Sequence, residues 1–153
     1  FPDAPYILKT DDDSFVDLPN VAAELLRWAP DYWGSVHHRV APDRSPDSQW
    51  HVSEAMWSED TYPDYCSGAG YALSRRAVAC FASKVGAQKY LSQEDIATAV
   101  VLRGCSFLPT HTALVDAMGS YPKTKDWPWV IKHYVKTDRL MKALHYSMYD
   151  DIG

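Results

Sequence analysis

The sequence predicts an α/β layered domain, and three observations lead there. Short apolar runs of strand length alternate with amphipathic helical patterns along most of the chain. Caps and Gly or Pro stops punctuate those patterns. The 153 residues, 46% of them apolar, suffice for one modest core.

Pro5 to Thr10 reads as a buried strand, because its apolar residues run on without alternating. Ser14-Phe15-Val16 continues it briefly. Pro19 opens a helix with an apolar stripe of Val21, Leu25 and Trp28, and Pro30 ends it. Trp33 to Val36 is a second strand. Residues 41–49 are loop by composition. Trp50-His51-Val52 reads as a short strand, and Glu54 to Asp64 is a loop rich in acids and aromatics. Gly70 to Leu73 is a strand. Ser74 caps a helix whose inward face is Val78, Phe81, Ala82 and Val85, with Gly86 as its stop. Ser92 starts another helix, with Ile96, Ala99 and Val100 inward and Gly104 at its end. Residues 105–129 show no clear period. Val130-Ile131 reads as a strand, and Thr137 to Met148 as a last helix burying Leu140, Met141 and Leu144.

Charge narrows the function classes. The net charge is −5, and no basic run exceeds the Arg75-Arg76 pair, which argues against a nucleic-acid partner. No stretch approaches the ~18–20 apolar residues of a membrane span. The start, Phe1-Pro2-Asp3-Ala4-Pro5, has neither an initiator Met nor a signal-like pattern, and it reads as the middle of a longer protein. Cys66, Cys80 and Cys105 allow one disulfide plus one thiol, or three thiols. The single asparagine, Asn20, is followed by Val-Ala and forms no glycosylation sequon.

Asp11-Asp12-Asp13 follows the first apolar run directly. Three adjacent carboxylates repel, and a hard divalent cation bound through oxygen offsets that cost. Strand tips of open α/β sheets are also where ligands bind. A solvated turn is the competing reading. An EF-hand is excluded, because Val16 stands where that loop needs Gly. In Tyr62-Pro-Asp-Tyr-Cys-Ser-Gly-Ala-Gly-Tyr71, Gly68 and Gly70 let backbone approach a ligand, and the aromatics offer a stacking surface; a bulged strand entry with core tyrosines is the alternative. Ser92-Gln93-Glu94-Asp95 fits a capping box, which uses one acid and leaves the other for general-base work. His37 and His38 are neighbours on a strand and face opposite ways. His133 gains significance only by converging on the aspartates.

Taken together, these segments resemble glycosyltransferase family 31, the β-1,3-galactosyltransferase-like family. The matching stretches are Tyr6–Val16, with its three aspartates, Tyr62–Ser74, with its paired glycines, and Glu94-Asp95-Ile96; Val130-Ile131-Lys132-His133 is a weaker fourth. The resemblance implies a GT-A-like fold, incomplete here on its N-terminal side, with residues 1–153 forming a partial catalytic domain. It implies an inverting transferase that uses Mn²⁺ and moves galactose or N-acetylglucosamine from a UDP-sugar to a glycan hydroxyl in β-1,3 linkage. Asp13 and His133 would then ligate the metal, with Asp11 also in the metal site. Asp11 and Asp12 would hold its water shell and the donor's ribose or sugar. Asp95 would be the catalytic base, with Glu94 beside the substrate. Gly68 and Gly70 would line the donor-sugar pocket, and Trp50 would wall the acceptor side. The acceptor would be a glycoprotein or glycolipid. The setting would be the lumenal side of the Golgi membrane, with the membrane reached only through a segment outside this chain. Ala69 and Ala99 replace residues that are often Gly in the family. A carbohydrate-binding fragment without activity and a two-carboxylate glycosidase are the rival readings. The central expectation is spatial: the aspartates and His133 gather at one point, and the Glu94-Asp95 helix tip faces them across one sugar's width.

Overall fold

The structure is a computed structural model, and it describes residues 3–87, 91–119 and 129–149, with side chains to residue 146. In chain order the elements are β1 (Tyr6–Thr10), β2 (Phe15–Val16), α1 (Leu18–Trp28), β3 (Tyr32–His37), β4 (Tyr65–Ser74), α2 (Arg75–Lys84) with a 3₁₀ turn (Val85–Ala87), α3 (Glu94–Gly104), β5 (Thr110–His111), β6 (Val115–Asp116), β7 (Ile131–Lys132) and α4 (Asp138–Tyr149). The predicted α/β class holds at this level. The pairing is mixed. One sheet runs β1-β4-β3-β5, antiparallel except for β3 with β5; the other runs β2-β7-β6, antiparallel then parallel.

β4 is the organising strand, because both of its faces are covered. Ala69 and Ala72 pack with Val21 and Leu25 of α1, Trp33 and Ile131. Tyr71 and Leu73 pack with Tyr32, Ala77 of α2, and Ala99 and Leu102 of α3. A strand buried on both faces shows no alternation. Its first half, rich in Ser, Gly and Ala, has weak strand preference. This is why only Gly70–Leu73 was expected of a strand that begins at Tyr65. β1 is an edge strand of the described sheet and not a buried one: it pairs with β4 on one side, and Ile7 is 53% exposed.

Other elements depart from expectation for local reasons. In α1, Asp17 accepts from the Asn20 backbone at 3.2 Å, capping the helix, and Val21 and Leu25 are buried. Trp28 is 61% exposed, however; its indole N–H donates to Glu24 at 3.1 Å and it borders a groove with Pro30 and Trp33. Ser74 caps α2 as predicted, at 3.2 Å from the Ala77 nitrogen. The inward face of α2 is rotated: Ala77 is buried and Val78 and Phe81 are half-buried, while Ala82 and Val85 are exposed. A disulfide from Cys80 to Cys105 accompanies that rotation and turns α2 toward the end of α3. Cys66 stays a buried free thiol, and burial pushes its pKa up to about 12. Trp50-His51-Val52 forms no strand beyond one isolated bridge from Asp43 to His51. Arg44 donates to the Val52 and Trp57 carbonyls, both at 2.7 Å, and so takes an acceptor that a ladder would need. In α4, Leu144 is buried against Phe15 and Val135, with Leu140 and Met141 beside it.

The disulfide spans a sequence separation of 25 residues and encloses the second half of α2 and all of α3. Replacing Cys80 and Cys105 together by Ala is expected to cost about 3 kcal/mol, measured as the shift in a urea-unfolding midpoint at constant slope.

Candidate active site

The aspartate triplet is both a turn and a charge cluster. The Ser14 backbone N–H donates to the Asp11 carbonyl at 3.2 Å, closing the turn, and Ser14 Oγ donates to the Ala69 carbonyl at 2.8 Å, tying it to β4. This leaves Asp11 and Asp13 half-buried and near each other. Asp12 is exposed and borders a cavity of about 400 Å³ shared with Lys136, Thr137 and Asp138.

His133 reaches the same point from the other sheet. It directly follows β7, and its backbone N–H donates to the Asp116 carbonyl of β6 at 3.1 Å. Its ring Nδ1 lies 3.1 Å from the Ala117 carbonyl. A carbonyl only accepts, so Nδ1 donates there, and Nε2 faces the carboxylates. Nε2 is 3.0 Å from Asp13 Oδ1 and 3.4 Å from Asp11 Oδ2. One ligand atom from each of Asp11, Asp13 and His133 falls within 4.8 Å of the others, a donor set of two carboxylates and one imidazole. The expected convergence of aspartates and histidine is present. His37 and His38 play no part in it: His37 packs on Tyr65, and His38 pairs with Asp64 at 2.8 Å.

Lys9 joins this cluster to the tip of α3. Its ammonium donates to Asp11 Oδ1 at 2.7 Å and the Gly68 carbonyl at 2.9 Å, and it pairs with Glu94 Oε2 at 2.9 Å. Three donors meet three acceptors, so the ammonium is saturated. Partial burial works against its charge, but Asp11 and Glu94 outweigh burial and raise its pKa. Glu94 also accepts from the Tyr71 hydroxyl, which contacts Thr98 at 3.2 Å. Glu94 is thus engaged in holding α3 to β1 and β4. The predicted capping box does not form. Gln93 occupies the cap position without a side-chain bond, Ser92 Oγ turns to the Gln93 amide at 3.1 Å, and Glu94 is drawn away by Lys9 and Tyr71.

Asp95 takes a different direction. Its oxygens accept from the backbone N–H of Gly68 at 3.2 Å and of Ile96 at 2.9 Å. Burial raises its pKa, with the nearby Glu94 charge adding, against those two bonds and Lys9. Asp95 lines a cavity of about 340 Å³ whose walls include Trp50, Tyr62, Tyr65 and Gln93. Gln93 donates to the Trp50 carbonyl at 2.9 Å, fixing that loop to α3. The volume lies in the range of small-ligand sites. The two glycines part ways. A Cβ on Gly68 would lie 3.2 Å from Lys9 Nζ and 3.4 Å from an Asp11 oxygen, so Gly68 borders the charged cluster. A Cβ on Gly70 would fall 2.6 Å from Ile131 Cδ1. Gly70 therefore makes room for the core and does not line an open pocket, because Ile131 of β7 fills the space its side chain would occupy.

Residues 1–112 match the family model for galactosyltransferases. The chain belongs to the galactosyltransferase family. Its similarity to a β-1,3-galactosyltransferase 4 of Rattus norvegicus is 35% identity, covering 79% of this chain and 41% of the relative. The corresponding human protein is 31% identical over 79% of this chain and 40% of its own length. A human N-acetyllactosaminide β-1,3-N-acetylglucosaminyltransferase 4 is 30% identical over 77% of this chain and 32% of its own length. The chain spans about two fifths of the length of these β-1,3-galactosyltransferase relatives. Among the described residues, no helix is long and apolar enough to cross a membrane.

Sequence reasoning passed over Lys9 and Tyr71. The signal for Lys9 was available: it stands two residues before Asp11, at the end of a strand where alternate residues share a face. Tyr71 was read as a core or stacking residue, and its hydroxyl contact with Glu94 had no sequence signal. Lys9→Met is expected to leave Asp11, Glu94 and the Gly68 carbonyl without their shared donor, at a cost of about 1–3 kcal/mol in urea-unfolding stability.

Proposed function

We propose that this galactosyltransferase-family chain is the metal-binding and base-bearing part of an inverting β-1,3-glycosyltransferase with a GT-A-type fold. It transfers galactose or N-acetylglucosamine from a UDP-sugar to a hydroxyl of a glycoprotein or glycolipid glycan. The observation that carries the reading is the convergence of Asp11, Asp13 and His133 from two sheets, linked through Lys9 and Gly68 to the α3 tip that bears Asp95.

The donor set fits Mn²⁺: carboxylate oxygens suit a hard cation, and one imidazole with Nε2 facing inward is compatible with it. Asp11, Asp13 and His133 would hold the ion, with Asp12 at the exposed edge. When bound, Mn²⁺ offsets the negative charge that develops on a diphosphate leaving group. Asp95 accepts the proton of the attacking hydroxyl. Its half-buried position beside Trp50, Tyr62 and Tyr65 suits this role, since aromatic faces pack against a pyranose while the carboxylate meets its hydroxyl. The Gly68 N–H and Lys9 hold the carboxylates on either side of that residue in fixed directions. The Cys80–Cys105 disulfide supports an oxidising compartment, in keeping with the Golgi lumen.

Three outcomes test this reading in the protein that carries the chain. Asp95→Asn is expected to lower kcat by about 10²–10⁴-fold while leaving Mn²⁺-dependent UDP-sugar binding in place. In the unsubstituted enzyme, kcat/KM should fall as pH drops through the Asp95 pKa. Because that pKa is raised, the inflection should lie above the ~3.9 of an ordinary aspartate. Full transfer by Asp95→Asn would assign the base elsewhere. Asp13→Ala is expected to abolish the Mn²⁺ dependence of UDP-sugar affinity, measured by calorimetry with and without EDTA. Equal donor affinity in both conditions for the unsubstituted protein would exclude the metal role. Release of sugar to water from simple glycosides in the presence of EDTA would favour the two-carboxylate glycosidase.

A further inference from the structure

Tyr134, the residue after His133, has a backbone φ of 59°. A large side chain in this left-handed region is an outlier that the surrounding structure must hold in place. Core packing does not account for it, since Tyr134 is 44% exposed. The conformation has one clear geometric consequence. Successive side chains of an extended chain point opposite ways, but here the left-handed step folds the Tyr134 ring back onto the imidazole of His133. The ring centroids are 4.0 Å apart and the planes differ by 28°.

The opposing wall is shaped for this arrangement. Gly119 itself has a φ of +70°, and a Cβ there would fall 2.5 Å from Tyr134 Cδ2. Gly119 stands two residues beyond Ala117, whose carbonyl lies 3.1 Å from His133 Nδ1. One short segment thus fixes the edge of the imidazole by a hydrogen bond and leaves room for the ring stacked on its face. Lys136 Nζ lies 4.9 Å from the centroid of the Tyr134 ring.

We propose that Tyr134, seated by Gly119, is a positioning residue for His133: it fixes the imidazole plane so that Nε2 stays directed at Asp11 and Asp13. The proposal rests on the cation site proposed above, to which it adds a second support beyond the Ala117 carbonyl. The aromatic face is what matters, and the phenol hydroxyl is dispensable.

The test is titration of the protein that carries the chain with Mn²⁺ alone, followed by the electron paramagnetic resonance signal of free Mn²⁺, with a thermal melt of each variant. Tyr134→Phe should bind Mn²⁺ like the unsubstituted protein. Tyr134→Gly and Tyr134→Asn both tolerate the left-handed backbone and should keep the melting temperature. Each should nonetheless bind Mn²⁺ about 10–100-fold more weakly, the usual effect of losing a group that orients a metal ligand. Gly119→Ala should weaken binding in the same direction by displacing the ring. Folded Gly and Asn variants with unchanged Mn²⁺ affinity would overturn the positioning role while leaving the cation site standing. Absence of Mn²⁺ binding by the unsubstituted protein would remove the cation site itself, and the proposal with it.

Discussion

Carboxylates crowd the end of β1, and the Lys9 ammonium is the counter-charge that two of them share. Its three donors reach β1's own Asp11, the Gly68 carbonyl on β4 and Glu94 on α3. Those bonds require the β1–β4 register that sets Lys9 opposite Tyr71, because the same register sends the Tyr71 hydroxyl to Glu94 from the neighbouring strand. The result is a closed set of contacts in which each acid has a fixed direction. Without the ammonium, Asp11 and Glu94 would repel across a half-buried space, where charge is less screened than in water.

The site also depends on two sheets meeting. Asp11 leaves the end of the four-stranded sheet, while His133 follows the last strand of the three-stranded one. Ile131 fills the space that Gly70 leaves, so the absence of a side chain on β4 decides how closely β7 approaches. That approach in turn sets where His133 stands. A glycine that looked like part of a ligand pocket thus contributes by packing, one step removed from the chemistry. The paired acids on α3 divide their work similarly. Glu94 is held by Lys9 and Tyr71, which leaves Asp95 to face the aromatic cavity.

The misread elements share a physical origin. Trp28 continues the helical stripe of Val21 and Leu25 in period but lies over a groove, because period reports a face and not what covers it. The face of α2 was misjudged since its strongest constraint is a covalent link to Cys105, which spacing cannot reveal. Trp50-His51-Val52 has strand-forming residues, yet the Arg44 guanidinium takes a carbonyl that a strand partner would use. Ser92 has the chemistry of a cap, but the helix begins two residues later, where long-range ion pairing draws Glu94 toward the sheet.

By itself the sequence determined the α/β class, the Ser74 cap of α2, the aspartate triplet at a strand tip and the family, since these rest on residue identity and short spacing. Tertiary structure alone decided which acid faces the cavity, that Lys9 bridges two carboxylates, that Gly70 is a packing residue, and that Tyr134 folds back on His133. Each of these depends on residues far apart in the chain, or on a backbone conformation that neither composition nor periodicity encodes. Contact across β1, β4, α3 and β7 is set by register and packing, and only the folded chain has them.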